Sequence, residues 1–283
     1  MESGPQQVNV GKVIKEKIPD KAKYVPRFAV KLVERIIHQR RLNEILAAIY
    51  PAQGVEAACK ALEEMRISVK VDGEENIPSE RRFIFVSNHP LGGLDGLALI
   101  AYLGRRYGGN IRFIVNDLLM AVEPLRSIFL PVNKYGAQKR EVVEEIEAQY
   151  AGDNQMITFP AGLCSRRTDA GDIQDPEWKK FAVTHAIRHR RDIIPIFFDE
   201  VNSGLFYTAA RWRKRLGFKF NAEMVLLPHE MIRREGATLH FHIGQPIAYT
   251  SLDEKNPRGE TERIRQAVYA LGQVIRDRKP NNN

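Results

Sequence analysis

A histidine and an aspartate lie close together in a glycine-containing segment, and these residue types are able to transfer protons. The segment SNHPLGGLDG, residues 87–96, holds His89 and Asp95 with two adjacent glycines between them. The glycines let the backbone turn sharply, so that the carboxylate can fold back onto the imidazole. A carboxylate bonded to one ring nitrogen fixes the tautomer, and the other nitrogen then takes a proton from a hydroxyl or an amine. The pair therefore predicts general-base chemistry, and no serine or cysteine nucleophile is needed if the acceptor's own hydroxyl attacks a thioester.

The spacing of this pair leaves a second interpretation open. An aspartate at the start of a helix commonly caps that helix through its carboxylate. The neighbouring histidine would then have no chemical role. The choice between the two interpretations depends on the sequence around the pair.

The elements that position this segment alternate between strands and helices from about residue 66 onward. The predicted strands cover residues 67–71, 82–87, 111–115, 155–159, 193–198, 224–227 and 239–243, and the predicted helices cover residues 96–102, 141–150, 178–189 and 263–275. Such alternation predicts an α/β fold with a mixed, mostly parallel sheet flanked by helices on both faces. In such folds the loops that follow buried strands carry the reactive groups, and the His–Asp segment follows a buried strand.

The first 65 residues are predicted to form a helical appendage in front of a main domain at residues 66–283. Residues 1–25 are polar and rich in lysine and form the lead-in to this appendage. In residues 26–65 apolar side chains recur at helical spacing, with lysines and arginines between them. Pro51 and Gly54 break the pattern, so we predict one helix from residue 26 to about residue 49 and a second over about residues 55–65. One interpretation is a helical pair packed on the core. The other is a basic amphipathic helix that rests among lipid headgroups, and both hold if different helix faces are used.

The composition restricts the class of protein without selecting a partner. The chain has 283 residues, a formal charge of +8 and an isoelectric point of about 9.4, which favours nucleic acid, anionic lipids or an acidic carrier protein. Its two cysteines are far apart, which argues against a disulfide framework or a zinc site and favours a reducing cytoplasm. No secretory signal is visible and no apolar run is long enough to span a bilayer, so we expect contact with a membrane surface only.

Five blocks, in order, resemble the glycerolipid (lysophosphatidic acid) acyltransferase superfamily over about residues 67–250. They are the block Asn88, His89 and Asp95, the apolar segment 128–132, the loop 158–166, the strand segment 193–197 and the closing segment 244–247. The resemblance implies transfer of a fatty acyl group from acyl-carrier protein or acyl-CoA to a hydroxyl, with no metal or bound cofactor. It implies that His89 is the general base and that Asp95 orients it. The substrate-binding residues that it implies are Asn88, Phe159, Pro160, Gly162, Ser165 and Arg166.

The chain departs from the family pattern where that pattern binds a phosphate. Ala161 replaces the acceptor-binding glutamate, Cys164 replaces the neighbouring arginine, and the arginine of the second block is missing. Arginines clamp phosphate through paired charge-assisted hydrogen bonds, so their loss predicts weaker phosphate binding. Arg166, Arg167 or Lys134 are the candidates to replace them from shifted positions. No histidine is fixed near Cys164 by the sequence, and we interpret it as a small loop residue rather than a nucleophile.

The form HPLGGLDG at residues 89–96 resembles a bacterial subgroup that makes glycine or ornithine lipids by O-acylation of N-acyl amino acids. It has one residue more between the histidine and the aspartate than the general family pattern. The resemblance implies a 3-hydroxyacyl amino acid as acceptor, which bears a carboxylate instead of a phosphate. The alternative acceptor is 1-acylglycerol-3-phosphate, as in phospholipid synthesis. Either activity implies a cytoplasmic protein on the inner face of the cell membrane.

Two other classes of protein remain open at the level of sequence. One is a catalytically inactive lipid- or carrier-binding relative, although the intact His89 and Asp95 argue against it. The other is a basic nucleic-acid-binding protein, although no recognised motif for nucleic acid is present. The segment 211–215, which reads RWRKR and is followed by Phe218 and Phe220, suits a membrane interface, an acidic carrier or a nucleic acid. A solvated charged loop explains it equally well.

Overall fold

The computed structural model describes residues 4–17, 19–79, 81–132, 140–217 and 221–278. The helices are α1 (Val10–Lys17), α2 (Pro19–Ala22), α3 (Arg27–Ile36), α4 (Gln39–Ile49), α5 (Gly54–Glu64), α6 (Leu94–Arg106), α7 (Arg140–Ala151), α8 (Phe181–His189), α9 (Gly204–Arg215), α10 (Leu227–Ile232) and α11 (Pro257–Arg278). The strands are β1 (Ser68–Asp72), β2 (Phe83–Ser87), β3 (Ile111–Asn116), β4 (Phe129–Val132), β5 (Gln155–Thr158), β6 (Arg166–Arg167), β7 (Ile173–Gln174), β8 (Asp192–Phe198) and β9 (Thr238–Ile243). Lys134, Phe218 and Phe220, which the sequence analysis singled out, lie outside the described residues.

Within the described residues, seven strands form one mixed sheet in the order β1-β9-β8-β2-β5-β3-β4. All neighbouring strands are parallel except β8 and β9, which are antiparallel. The central strand β2 is buried along its whole length, as is typical of a parallel strand covered by helices on both faces. The α/β class with a mixed, mostly parallel sheet is therefore confirmed.

The side chains of β2 alternate between two hydrophobic cores, one on each face of the sheet. Phe83 and Phe85 pack in the core that α4, α5 and α6 cover, whereas Ile84 and Val86 pack in the core of α7, α8 and α11. This alternation is the two-residue period of a strand. Both faces of β2 are therefore packed, and the His–Asp segment begins at its last residue, Ser87.

The N-terminal helices differ in how much of their surface is buried. Residues Ile45 and Ile49 of α4 and most of α5 lie in the core, and Gly104 of α6 lets Val55 approach so closely that a Cβ there would be 2.4 Å from it. In contrast, α3 buries none of its residues, and Phe28 is 73% exposed. The packing of this region on the core is therefore made by α4 and α5, whereas the apolar side chains of α3 stay exposed.

Two predictions of local structure were wrong, and the polar lead-in contains helices of its own. Residues 1–25 include α1 and α2, and Val10 of α1 packs inward. The predicted single helix over 26–49 is interrupted at His38, whose φ of 52° separates α3 from α4. The predicted strand at 224–227 is a 3₁₀ turn that leads into α10, since Pro228 occupies a first-turn position where its missing N–H costs nothing.

Candidate active site

His89 and Asp95 meet in the loop between β2 and α6. The His89 Nδ1 atom lies 2.9 Å from Asp95 Oδ2, although the two residues are separated by one residue more than in the resembling family. The extra length is taken up at Gly92, whose φ of +81° only glycine adopts readily. A Cβ at that position would also lie 2.6 Å from the Cys164 sulfur, so both conformation and space require glycine.

The Asp95 carboxylate is completely buried and held by backbone donors. Oδ2 accepts hydrogen bonds from the N–H groups of Leu91 and Gly92 at 2.9 and 3.2 Å, and Oδ1 accepts one from Gly96 at 2.9 Å. Burial opposes ionisation of Asp95, but the adjacent His89 and these N–H groups lower its pKa. Asp95 therefore bonds both the backbone N–H groups near the start of α6 and the imidazole of His89. The helix-capping interpretation and the His–Asp interpretation thus hold together.

The imidazole of His89 is held between this carboxylate and an aromatic ring. Its ring stacks on Phe159 with centroids 4.0 Å apart, and 14% of its side chain remains exposed. Burial lowers the pKa of His89, but the charge and hydrogen bond of Asp95, together with the adjacent thiol of Cys164, raise it well above its ordinary value. Because Nδ1 faces the carboxylate, Nε2 is the nitrogen that can exchange a proton with a substrate.

A second buried carboxylate, which the sequence analysis missed, fastens the His89 loop to the third sequence block. Asp175 Oδ1 accepts the N–H of His89 at 3.1 Å and the hydroxyl of Ser165 at 2.6 Å, while Oδ2 accepts the indole N–H of Trp178 at 2.9 Å. The Ser165 N–H also donates to the His89 carbonyl at 2.8 Å. Burial raises the pKa of Asp175, although these hydrogen bonds oppose the rise. The only sequence signal was an aspartate in a loop ten residues from Ser165.

The other candidate residues near the pair support the backbone or line the site. The Asn88 side chain is buried and forms two hydrogen bonds with the backbone of Phe198, at 2.7 and 3.1 Å, which tie the loop to β8. Phe159 and Pro160 follow β5 directly, and the N–H of Gly162 closes this turn on the Phe159 carbonyl. The structure therefore brings His89, Asp95, Asn88, Phe159 and Ser165 together.

Arg166 is already engaged within the protein. Its guanidinium donates to Glu223 at 2.9 Å, and Arg213 lies 2.8 Å from the other oxygen of this fully buried carboxylate. Arg166 also donates to the carbonyls of Cys164 and Ser165 and lies over the ring of Phe206. Arg167 is exposed and extends over the ring of Tyr207. Arg166 therefore stabilises the loop through its hydrogen bonds, whereas Arg167 is accessible to solvent.

One group of side chains in the described part of the chain has the composition and spacing to hold a metal ion. The ligand atoms of Asp72, His240 and His242 lie within 4.8 Å of one another on β1 and β9. Asp72 Oδ2 lies 2.9 Å from His240 Nε2 and 3.2 Å from His242 Nδ1. These strands are at one side of the sheet, separated from β2 by β8, so this cluster is not part of the His89 site.

A family model described as acyltransferase matches residues 12–277, and the chain therefore belongs to that family of enzymes. Two similar relatives are each called lyso-glycine lipid O-acyltransferase. The protein from Phocaeicola vulgatus is 42% identical over 93% of this chain and 95% of its own length. The protein from Bacteroides thetaiotaomicron is 40% identical over 93% of this chain and 97% of its own length.

The chain is also similar to a solved structure, the 1-acyl-sn-glycerophosphate acyltransferase PlsC from Thermotoga maritima. The TM-score is 0.46 and the identity 16%, over 85% of this chain and 95% of that chain. Within the described residues, no helix combines the length and apolar character needed to cross a bilayer.

Proposed function

We propose that this acyltransferase moves a fatty acyl group from a thioester donor to the hydroxyl of a 3-hydroxyacyl glycine, the lyso form of a glycine lipid. The observation that carries the proposal is the His89–Asp95 pair, whose buried carboxylate and partly accessible imidazole form a general base. The two relatives at 40% identity or more support the choice of acceptor.

In the proposed reaction the imidazole first acts as a base and then as an acid. Nε2 of His89 takes the proton of the acceptor hydroxyl, whose oxygen attacks the thioester carbonyl carbon. The new C–O bond forms, the C–S bond breaks, and the imidazolium returns its proton to the departing thiolate sulfur. Asp95 stabilises the imidazolium in between, as a buried carboxylate on the opposite ring nitrogen does in other His–Asp pairs. No covalent acyl-enzyme is needed.

The third sequence block supports an acceptor that has a carboxylate rather than a phosphate. Ala161 and Cys164 are buried and uncharged where the resembling family has a glutamate and an arginine. Arg166, the nearest replacement, spends its hydrogen bonds on Glu223 and two carbonyls. A phosphate would therefore lack Arg166 as a free partner, whereas a single carboxylate needs fewer charge-assisted bonds.

We further place the enzyme on the inner face of the cell membrane, with acyl-carrier protein as the donor and α1–α3 as the first membrane contact. On α3, Phe28 and Leu32 are 73% and 54% exposed and lie on one helix face, with Arg27, Lys31 and Arg35 on the same helix. An exposed apolar stripe with basic neighbours is the pattern of an interfacial helix. The chain's charge of +8 favours an anionic lipid surface.

The test is a transfer assay with the wild type and two acceptors, N-(3-hydroxyacyl)glycine and lysophosphatidic acid, each paired with acyl-carrier-protein and acyl-CoA thioesters. We expect product from the glycine acceptor and about 10²-fold less from lysophosphatidic acid, because the glutamate and arginines of the family pattern are replaced. Preference for lysophosphatidic acid would overturn the acceptor assignment. Transfer to neither acceptor would overturn the proposed function.

A further inference from the structure

Helix α9 presents one buried face and one exposed apolar face. The buried face consists of Phe206, Tyr207 and Ala210. The exposed face carries Leu205 and Trp212, both 55% exposed, and continues into Leu216, which is 64% exposed at the end of the helix. Spacings of seven and four residues place these three side chains along one stripe of a helix. We call this stripe the α9 surface.

Basic side chains border the α9 surface. Arg215 is exposed beside the stripe, and its guanidinium lies over the Trp212 ring at 5.9 Å from the ring centroid. Arg211 and Lys214 are also exposed, farther around the helix. Arg213 is instead paired with the buried Glu223.

The inner face of α9 rests on the loop that holds the active site. Phe206 and Tyr207 pack with Cys164 in one hydrophobic cluster, and Arg166 and Arg167 lie over their rings. Ser165, which follows Cys164 in this loop, donates its N–H to the His89 carbonyl. The α9 surface is therefore about one helix diameter, ~10 Å, from the loop that positions His89.

We propose that the α9 surface docks on an anionic lipid bilayer and brings the active-site loop to the membrane that contains the acceptor. This proposal rests on the proposed function, and it adds a contact separate from α1–α3. Transfer of the exposed Trp and Leu side chains from water to the boundary between headgroups and acyl chains is favourable, and Trp is enriched there. The arginines of α9 complement anionic headgroups. An acidic carrier protein or a nucleic acid would match the arginines but leave the leucines without an apolar partner.

The experiment measures binding to vesicles of phosphatidylcholine, alone or mixed with phosphatidylglycerol, by co-sedimentation at low and high salt. Wild type is compared with Trp212→Glu/Leu216→Glu, with Arg211→Glu/Arg215→Glu, and with the control Val143→Glu. Val143 is an exposed apolar residue of α7, 42% exposed, which lies in neither proposed membrane contact. Circular dichroism and thermal unfolding of each variant verify that it is folded.

We expect the apolar variant to lose about tenfold or more in affinity for both vesicle types. The arginine variant should lose its preference for anionic vesicles and its salt dependence, because its cations are removed. The control should bind as the wild type does. Equal binding by all four proteins would overturn the proposal and leave membrane contact to α1–α3.

A second measurement links docking to catalysis. The ratio of transfer to an acceptor in vesicles over transfer to the same acceptor in detergent micelles should fall about tenfold in the apolar variant. If this variant binds vesicles normally and loses activity only with the acyl-carrier-protein donor, the surface binds the carrier and the membrane proposal is wrong. If wild type shows no transfer but its vesicle binding depends on Trp212 and Leu216, the proposed function fails while the docking surface stands.

Discussion

Two groups of histidine and aspartate side chains have the same contact distance but different surroundings. In the β2–α6 loop, His89 Nδ1 lies 2.9 Å from Asp95, which is fully buried and accepts three backbone N–H groups. Between β1 and β9, His240 Nε2 lies 2.9 Å from Asp72, whose side chain is 46% exposed. The short contact is therefore not what distinguishes an active site.

The difference lies in what fixes the carboxylate and in what faces the imidazole. Asp95 is oriented by its own helix start, and His89 faces an aromatic wall and a loop from the third sequence block. Asp72 is shared by two histidines, and the His242 Nε2 atom is buried without a hydrogen-bond partner in the structure. Burial lowers the pKa of His242, whereas the pKa of His89 is raised despite its burial. A buried, fully bonded carboxylate is what converts a histidine into a strong base.

The largest expected effect separates the two histidines directly. His89→Ala should lower kcat by about 10³-fold, because it removes the only proton acceptor that the proposed reaction uses. His240→Ala should keep kcat within about twofold of wild type, since its side chain lies outside the site. Steady-state assays with the glycine acceptor measure both. A large loss in both variants would mean that the two clusters are coupled, which would break the comparison.

Replacement of the carboxylates tests the electrostatic part of the comparison. Asp95→Asn should lower kcat/KM on the order of 10²-fold, because the imidazolium loses its partner. The neutral form of His89 is the base, so activity rises with pH through its pKa. In the wild type, the rise of kcat/KM with pH should thus have its midpoint above pH 6.5. The midpoint should move to lower pH in Asp95→Asn and stay in place in Asp72→Asn. A midpoint that stays at the same pH in Asp95→Asn would show that a different group controls activity.

A smaller effect is expected at Asp175, which acts on His89 through the backbone. Asp175→Asn places an amide NH₂ against hydrogen-bond donors, so we expect about tenfold lower kcat and a free energy of unfolding reduced by about 1–3 kcal/mol. Urea unfolding and kcat per folded molecule measure the two effects separately. Reduced stability with unchanged kcat would assign Asp175 a purely structural role.

The smallest effect is expected at Cys164, whose thiol lies beside His89. Cys164→Ala should change kcat by less than about threefold, because the acceptor hydroxyl attacks the thioester directly. Rapid-quench experiments that look for an acyl group on the protein provide the complementary measurement. A loss as large as that of His89→Ala, or a trapped thioester on wild type, would demonstrate a cysteinyl intermediate.

The local patterns of the sequence were sufficient for most of the sheet. Buried parallel strands such as 83–87 are continuous apolar runs, and the alternation of strands and helices specified the α/β class. The surface helix α9 was not predicted, because its many arginines mask the short inward stripe of Phe206, Tyr207 and Ala210. Its packing partners, Cys164 and Arg166, lie about 40 residues away in the chain, and such contacts are invisible to local periodicity.

The sequence by itself determined the proposed reacting pair, the order of the blocks and the replacement of the family's phosphate-binding side chains, because these depend on residue identity and short spacing. Only the tertiary structure decided that the longer His–Asp spacing still closes to 2.9 Å, through the turn at Gly92. It also decided that Arg166 forms an ion pair with Glu223 and that Asp175 accepts a hydrogen bond from the backbone of His89. These contacts join segments 57 and 86 residues apart, and only the packing of the sheet and its helices brings such segments together.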